Sequence, residues 1–117
     1  MVDLSLTNEA IDHSCSIAIK MLKKLLGENL VSVVLFGSCA RGDYKEDSDI
    51  DIAVLTKSDR EQDKNYSDGL AEIATEIAMK TFAVVNFICI PAEEFEQKKG
   101  WYLFFRNIAN EGRKLYG

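Results

Sequence analysis

Two short apolar runs constrain this chain more than any other feature of its sequence. VSVVLF, Val31 to Phe36, and FAVVNFICI, Phe82 to Ile90, are rich in β-branched and aromatic residues and nearly devoid of charge. A strand that is oily on both faces needs a covering layer on each side, which in a chain of modest length means helices packed on a sheet. The intervening segments supply those helices. From Asn8 to Leu26, the residues Ile11, Cys15, Ala18, Leu22 and Leu25 recur at three- and four-residue steps, with Lys20, Lys23 and Lys24 left outward and Gly27 as the stop.

A second strand is expected over Asp49 to Leu55, where Ile50, Ile52 and Val54 alternate with Asp49, Asp51 and Ala53. Ser58 with Glu61 three residues on reads as a capping box, ahead of a helical face made of Leu70, Ile73, Ala74 and Ile77. Gly69 weakens the first half of that helix. Pro91 ends the third strand, and Trp101 to about Leu115 reads as a terminal helix. The order α-β-loop-β-α-β-α predicts an α/β sandwich, one domain over residues 1–117. A chain of 117 residues buries roughly two-thirds of its unfolded surface, enough for one core and too little for two.

Charge and cysteine content narrow the function. With 14 basic against 19 acidic residues the net charge is −5, which opposes generic binding to nucleic acid, where clustered Lys and Arg displace counterions. No run approaches the ~18 apolar residues of a membrane span. The stretch Met1 to Ala10 lacks the pattern of a secretory leader. Three cysteines, an odd number without CxxC spacing, suit free thiols in a reducing cytoplasm.

The chemistry concentrates in Gly37 to Leu55, GSCARGDYKEDSDIDIAVL. Asp49 and Asp51 stand two apart on a strand, so their carboxylates share a face with Cβ atoms roughly 7 Å apart. Hard anionic donors so placed suit Mg²⁺, which takes one or two carboxylates and completes its shell with phosphates and water. Upstream, Gly37-Ser38 ends a buried strand and Arg41-Gly42 follows within a turn. Bare N–H groups, a hydroxyl and a guanidinium therefore gather where a triphosphate would lie.

These residues resemble the minimal nucleotidyltransferases of the polymerase-beta superfamily, whose signature is G-S-x-A-R-G followed by S-D-x-D. Here it reads Gly37-Ser38-Cys39-Ala40-Arg41-Gly42, then Ser48-Asp49-Ile50-Asp51, and the ending from Ile108 to Tyr116 is similar to the family's I-x-x-E-G-x-x-L-Y tail. The resemblance implies a small mixed sheet with packed helices, a nucleotidyltransferase-like fold. It implies that Gly37 and Ser38 hold the terminal phosphates of ATP or a related triphosphate, with Arg41 and Ser48 in the nucleotide-binding set. Asp49 and Asp51 become the ligands of two Mg²⁺ ions. The implied reaction is in-line attack of an acceptor hydroxyl on the α-phosphorus, releasing pyrophosphate.

The family's third carboxylate, on the following strand, is replaced by Asn86, which cannot accept a proton at neutral pH. Asn86 stands as the third catalytic position, with Glu93 or Glu94 as substitutes from just beyond the strand. His13, Cys39, Asp43 and Asp47 read as bystanders. Trp101 to Phe105 places five large apolar residues in succession, more than one helix face can bury, so either a partner or the chain's own sheet covers the excess. The resemblance implies a helical HEPN-class partner of a toxin–antitoxin pair, or self-association, as the occupant. Two alternatives remain: a non-catalytic nucleotide-binding antitoxin acting by contact, and transfer to a small molecule of the aminoglycoside kind.

Overall fold

The computed structural model describes residues 5–117. Residues 1–4, part of the stretch read for a leader, lie outside the described residues. The elements are α1 (Asn8–Leu26), β1 (Leu30–Phe36), α2 (Ser38–Arg41), β2 (Ile50–Thr56), α3 (Arg60–Asp63), α4 (Ser67–Thr81), β3 (Val85–Pro91), α5 (Ala92–Lys98), α6 (Leu103–Glu111) and β4 (Arg113–Tyr116). Strand order is β3-β2-β1-β4. β1 runs antiparallel to β2 and β4, whereas β2 and β3 are parallel. The sheet is mixed and covered by helices, as the sequence predicts.

Strand alternation divides the core in two. Val33, Leu35, Ile50, Ile52, Val54 and Val85 point to the face covered by α1 and α4. Val34, Ala53, Leu55 and Ile90 point to the other, where Phe95 of α5 and Phe105 and Ile108 of α6 close over them. Each fully buried side chain of this size contributes about 1.5–3 kcal/mol, so α6 is anchored chiefly by Phe105 and Ile108. Thr7 caps α1 by accepting from Ala10 N at 3.1 Å, and Ser14 Oγ donates to Thr81 Oγ1 at 2.9 Å to tie α1 to α4. At Gly69 the two helices approach so closely that a Cβ would stand 2.6 Å from Leu25 Cδ1.

The structure corrects several boundaries. The Ser58 hydroxyl is taken by the Asn29 amide, so Asp59 is the cap, accepting from Gln62 N at 2.8 Å. The helical stretch after it breaks at a 3₁₀ turn, Lys64–Tyr66, before Gly69 is reached. The third strand starts at Val85, because α4 runs to Thr81 and Phe82 closes it in the left-handed region at φ 63°. The terminal helix stops at Glu111 and the chain then pairs as β4 along β1, with Leu35 opposite Arg113 and Val33 opposite Tyr116. Trp101 and Tyr102 precede α6, so three of the five large apolar residues are helical.

Gly112 makes the turn into β4. A Cβ there would collide with the Ile108 carbonyl and stand 2.6 Å from Val34 Cγ1. Its φ of −70° suits any residue, so the constraint is steric. Gly112→Ala is expected to destabilise the fold by about 2 kcal/mol through overpacking, read as a lower urea midpoint; an unchanged midpoint would show that α6 can slide away from β1.

Candidate active site

Four elements meet at one end of the sheet. β1 ends at Phe36, which is in register with Asp51 of β2, and Asp51 is in register with Asn86 of β3. Asp51 and Asn86 therefore lie side by side on the face that carries α5 and α6. Asp49, one residue ahead of β2, joins them: Asn86 Nδ2 donates to Asp49 Oδ2 at 3.0 Å and to Asp51 Oδ1 at 3.3 Å. Both carboxylates thus aim at one point, and the positive end of an amide dipole occupies it.

Gly37 stands against that point. Its φ of 75° and ψ of −157° belong to glycine alone, and a Cβ would lie 2.6 Å from Asp51 Oδ2. No side chain could turn the chain here without displacing the acid. Beyond Gly37 the segment Ser38–Arg41, expected as loop, forms one helical turn. The bonds inside that turn begin at Ala40 N and Arg41 N, both on Gly37 O, so the N–H groups ahead of them point out of it.

The remaining residues of the motif have structural partners. Arg41 Nε meets Asp43 Oδ2 and its guanidinium meets Glu111 Oε2, both at 3.3 Å, which fastens the α2 turn to the end of α6. The Asp43 hydrogen bond, then that of Glu111, holds the guanidinium pKa above its usual value. Ser48 Oγ accepts from Lys45 N at 2.8 Å and closes the turn that delivers Asp49. Cys39 is buried; burial, then the Asp51 charge, raises its thiol pKa, which disfavours the thiolate. His13 is exposed on α1, and Asp47 is exposed in the loop.

Glu93 and Glu94 are not at the site. They open α5, beyond the far end of β3 and about 16 Å along the strand from Asn86. Glu94 is held by Arg60 at 2.6 Å and Lys98 at 2.9 Å. Among the described residues no cluster of three or more His, Cys, Asp and Glu is placed to hold a metal ion. Asp49 and Asp51 nevertheless suit Mg²⁺, since two hard oxygen donors converge on one point and leave the rest of the shell for phosphate and water.

The Trp101–Phe105 stretch divides. Phe105 is buried, whereas Trp101 is 68% and Leu103 59% exposed, with Tyr102 and Phe104 less so. Sequence reasoning missed Phe82 and Val84, which are exposed near Asp49 and line a 130 Å³ cavity with it. The left-handed φ of Phe82 had no signal in the sequence, since glycine is the usual residue there.

The family model for the nucleotidyltransferase domain matches residues 15–115, a span that holds the bend, both acids, Asn86 and nearly all of β4. The chain belongs to the nucleotidyltransferase family. Its enzyme class is therefore nucleotidyl transfer. A Methanocaldococcus jannaschii protein, provisionally named a protein adenylyltransferase, is 37% identical over 98 residues, covering 84% of this chain and 90% of that protein. A chain of a toxin–antitoxin complex crystallised with AMP-PNP superimposes with a TM-score of 0.62 at 23% identity, over 88% of this chain and 73% of its own. A chain of the Shewanella oneidensis complex between a tri-AMPylated HEPN toxin and an MNT antitoxin gives 0.57 at 20% identity, over 92% and 72%. At such identities the likeness is one of fold. No described helix of the nucleotidyltransferase is long and apolar enough to cross a membrane.

Proposed function

We propose that this single domain, residues 1–117, is a Mg²⁺-dependent nucleotidyltransferase that moves AMP from ATP to a hydroxyl on a helical HEPN-class partner in the cytoplasm. One observation carries the chemistry: two carboxylates converge beside a glycine bend that no other residue could make. The names of its relatives support a protein acceptor, and three free thiols support a reducing compartment.

In this reading Asp49 and Asp51 hold Mg²⁺, and Gly37 and Ser38 hold the terminal phosphates through N–H groups that leave the α2 turn unbonded. Mg²⁺ bound there supplies neutralisation of phosphate charge. Ser48 positions Asp49, and the Arg41 to Glu111 bridge keeps the phosphate turn against α6. The acceptor oxygen forms its bond to the α-phosphorus as the bond to the β-phosphate oxygen breaks, and pyrophosphate leaves. Asn86 cannot take the hydroxyl proton, which departs to solvent. The exposed residues Trp101 to Phe104 give the partner an apolar contact that reaches the site at Phe104, beside Gly37.

The test is transfer of label from α-³²P-ATP to the product of the neighbouring reading frame, with Mg²⁺ and with EDTA. Label on the partner that EDTA abolishes is the expected result. A tight complex without label would favour the second reading, neutralisation by contact, for which the amide of Asn86 on both acids is the supporting observation. Label on an aminoglycoside but not on protein would move the acceptor to the small-molecule class.

A further inference from the structure

Beyond Asn86 the sheet ends in an open edge. β3 is the terminal strand of the order β3-β2-β1-β4 and among the described residues pairs with β2 alone. Ile50 N donates to Val84 O at 2.8 Å, and in a parallel ladder that bond sets the alternation. The backbone groups of Val84, Asn86 and Ile88 face β2, and those of Val85, Phe87 and Cys89 face outward. Edges of this kind are normally blunted by charge, a bulge or proline. Val85–Pro91 carries no charge and keeps its register with β2 throughout. The next outward position is Pro91, which has no N–H, so the end remote from the acids is closed. The end beside Asp49 and Asp51 is left able to take another strand.

The surface along that edge has the form an added strand needs. The side chains of Val85, Phe87 and Cys89 lie on the face covered by α4, where two hollows follow one another. The first, of about 290 Å³, is uncharged, with Leu70, Ala71, Ala74 and Phe87 in its walls. The second, of about 270 Å³, lies at Cys89 among Arg60, Asp63 and Lys64. Phe87 and Cys89 are two residues apart, ~6.6 Å, which is the repeat of side chains on one face of a strand. A strand added here sets alternate side chains in the two hollows and turns the ones between them to the face of Asp51 and Asn86.

We propose that the acceptor hydroxyl reaches the acids on an extended segment of the partner protein, added along β3 as a fifth strand; the assignment rests on the transferase reading above. Phe36, Asp51 and Asn86 form one in-register row across the sheet. A fifth strand lengthens that row by one residue, ~4.8 Å beyond Asn86 and with its side chain on the same face. That residue carries the hydroxyl. A helix cannot take this place, because its own N–H and C=O groups are bonded within it, so the segment is a loop or terminus of the partner. The residue next to the hydroxyl enters the uncharged hollow and is apolar; the one two further on meets Arg60, Asp63 and Lys64 and is polar. Pairing with β3 of a second copy would fill the edge without supplying an acceptor, since Val85–Pro91 has no hydroxyl.

The test is residue-resolved amide hydrogen exchange of the protein alone and with the purified product of the neighbouring reading frame, run beside the label-transfer assay. In the free protein the amides of Phe87 and Cys89 should exchange about a hundredfold faster than those of Asn86 and Ile88, and the complex should slow them at least about tenfold. Phe87→Pro should transfer label about tenfold more slowly than Phe87→Ala, since the proline also removes the outward N–H. Ala71→Arg should slow transfer by filling the first hollow. Ala71 is exposed on α4, so this variant keeps the test decisive if Phe87→Pro does not fold. Label transfer with Phe87 and Cys89 still unprotected would overturn the fifth strand and leave the transferase reading standing. Protection without label would support the pairing but overturn the transferase reading, and the acceptor role with it. Protection that grows with the protein's own concentration, in the absence of the partner, would overturn the proposal in favour of a second copy.

Discussion

Replacing Asp51 with Asn is expected to lower nucleotidyl transfer by about a thousandfold and to leave the fold as stable as before, or slightly more so. The two effects have opposite signs because they come from one charge. Asp51 and Asp49 both accept from the Asn86 amide, so two like charges are held close to a shared point. Removing one relieves repulsion in the free protein but removes half the anionic set on which a cation and a triphosphate must assemble. Loss of several kcal/mol of transition-state stabilisation corresponds to that rate, at about 1.4 kcal/mol per factor of ten. The melting temperature should stay level or rise by about 2 °C. Label-transfer rates and thermal melts of the same preparation check both halves. Persistent transfer would take Asp51 out of the metal set, and a fallen melting temperature would make its role structural.

What could be read in the sequence was local. Asp49 and Asp51 fall on one face by strand periodicity alone, and Gly37-Ser38 was legible because it ends an apolar strand. Asn86 could be placed against them only through the family resemblance; the parallel register of β2 and β3 then supplies the contact. The missed elements are those that tertiary structure imposes. The four residues of β4 are too few to show a period, and they pair because the antiparallel edge of β1 is open to them. Phe82 caps α4 in a conformation expected of glycine, held there by the Phe82 N to Ala78 O bond and by Thr81 Oγ1, which accepts from Ala83 N. Five large apolar residues in succession were misread as one helical surface because their break at Tyr102 carries no Gly or Pro. The cleft between Phe36, Gly37 and Phe104 exists only once α6 folds back over β1, so no motif announces it.

Asn86→Asp is the complementary change, expected to raise transfer by about a hundredfold, within the usual contribution of a positioned general base. The side chains are nearly isosteric, so an oxygen would replace Nδ2 at about 3 Å from each of the two neighbouring carboxylates. Without a cation that exchange is unfavourable: two charge-assisted hydrogen bonds are lost and three anions crowd one point. Because Asn86 and Asp49 are exposed to solvent, the cost should be about 1–2 kcal/mol rather than the larger figure for a buried site. Added Mg²⁺ should reverse it, since a ligand bound by the folded state alone stabilises in proportion to the logarithm of its concentration over Kd. The variant should therefore melt below wild type in EDTA and gain more than wild type from millimolar Mg²⁺. That melting difference is independent of turnover and tests the geometry of the third position directly. If Mg²⁺ shifts both proteins equally, Asn86 does not face the cation. If the shift appears but transfer does not rise, the third position holds metal without serving as the base, and the proton leaves by another route.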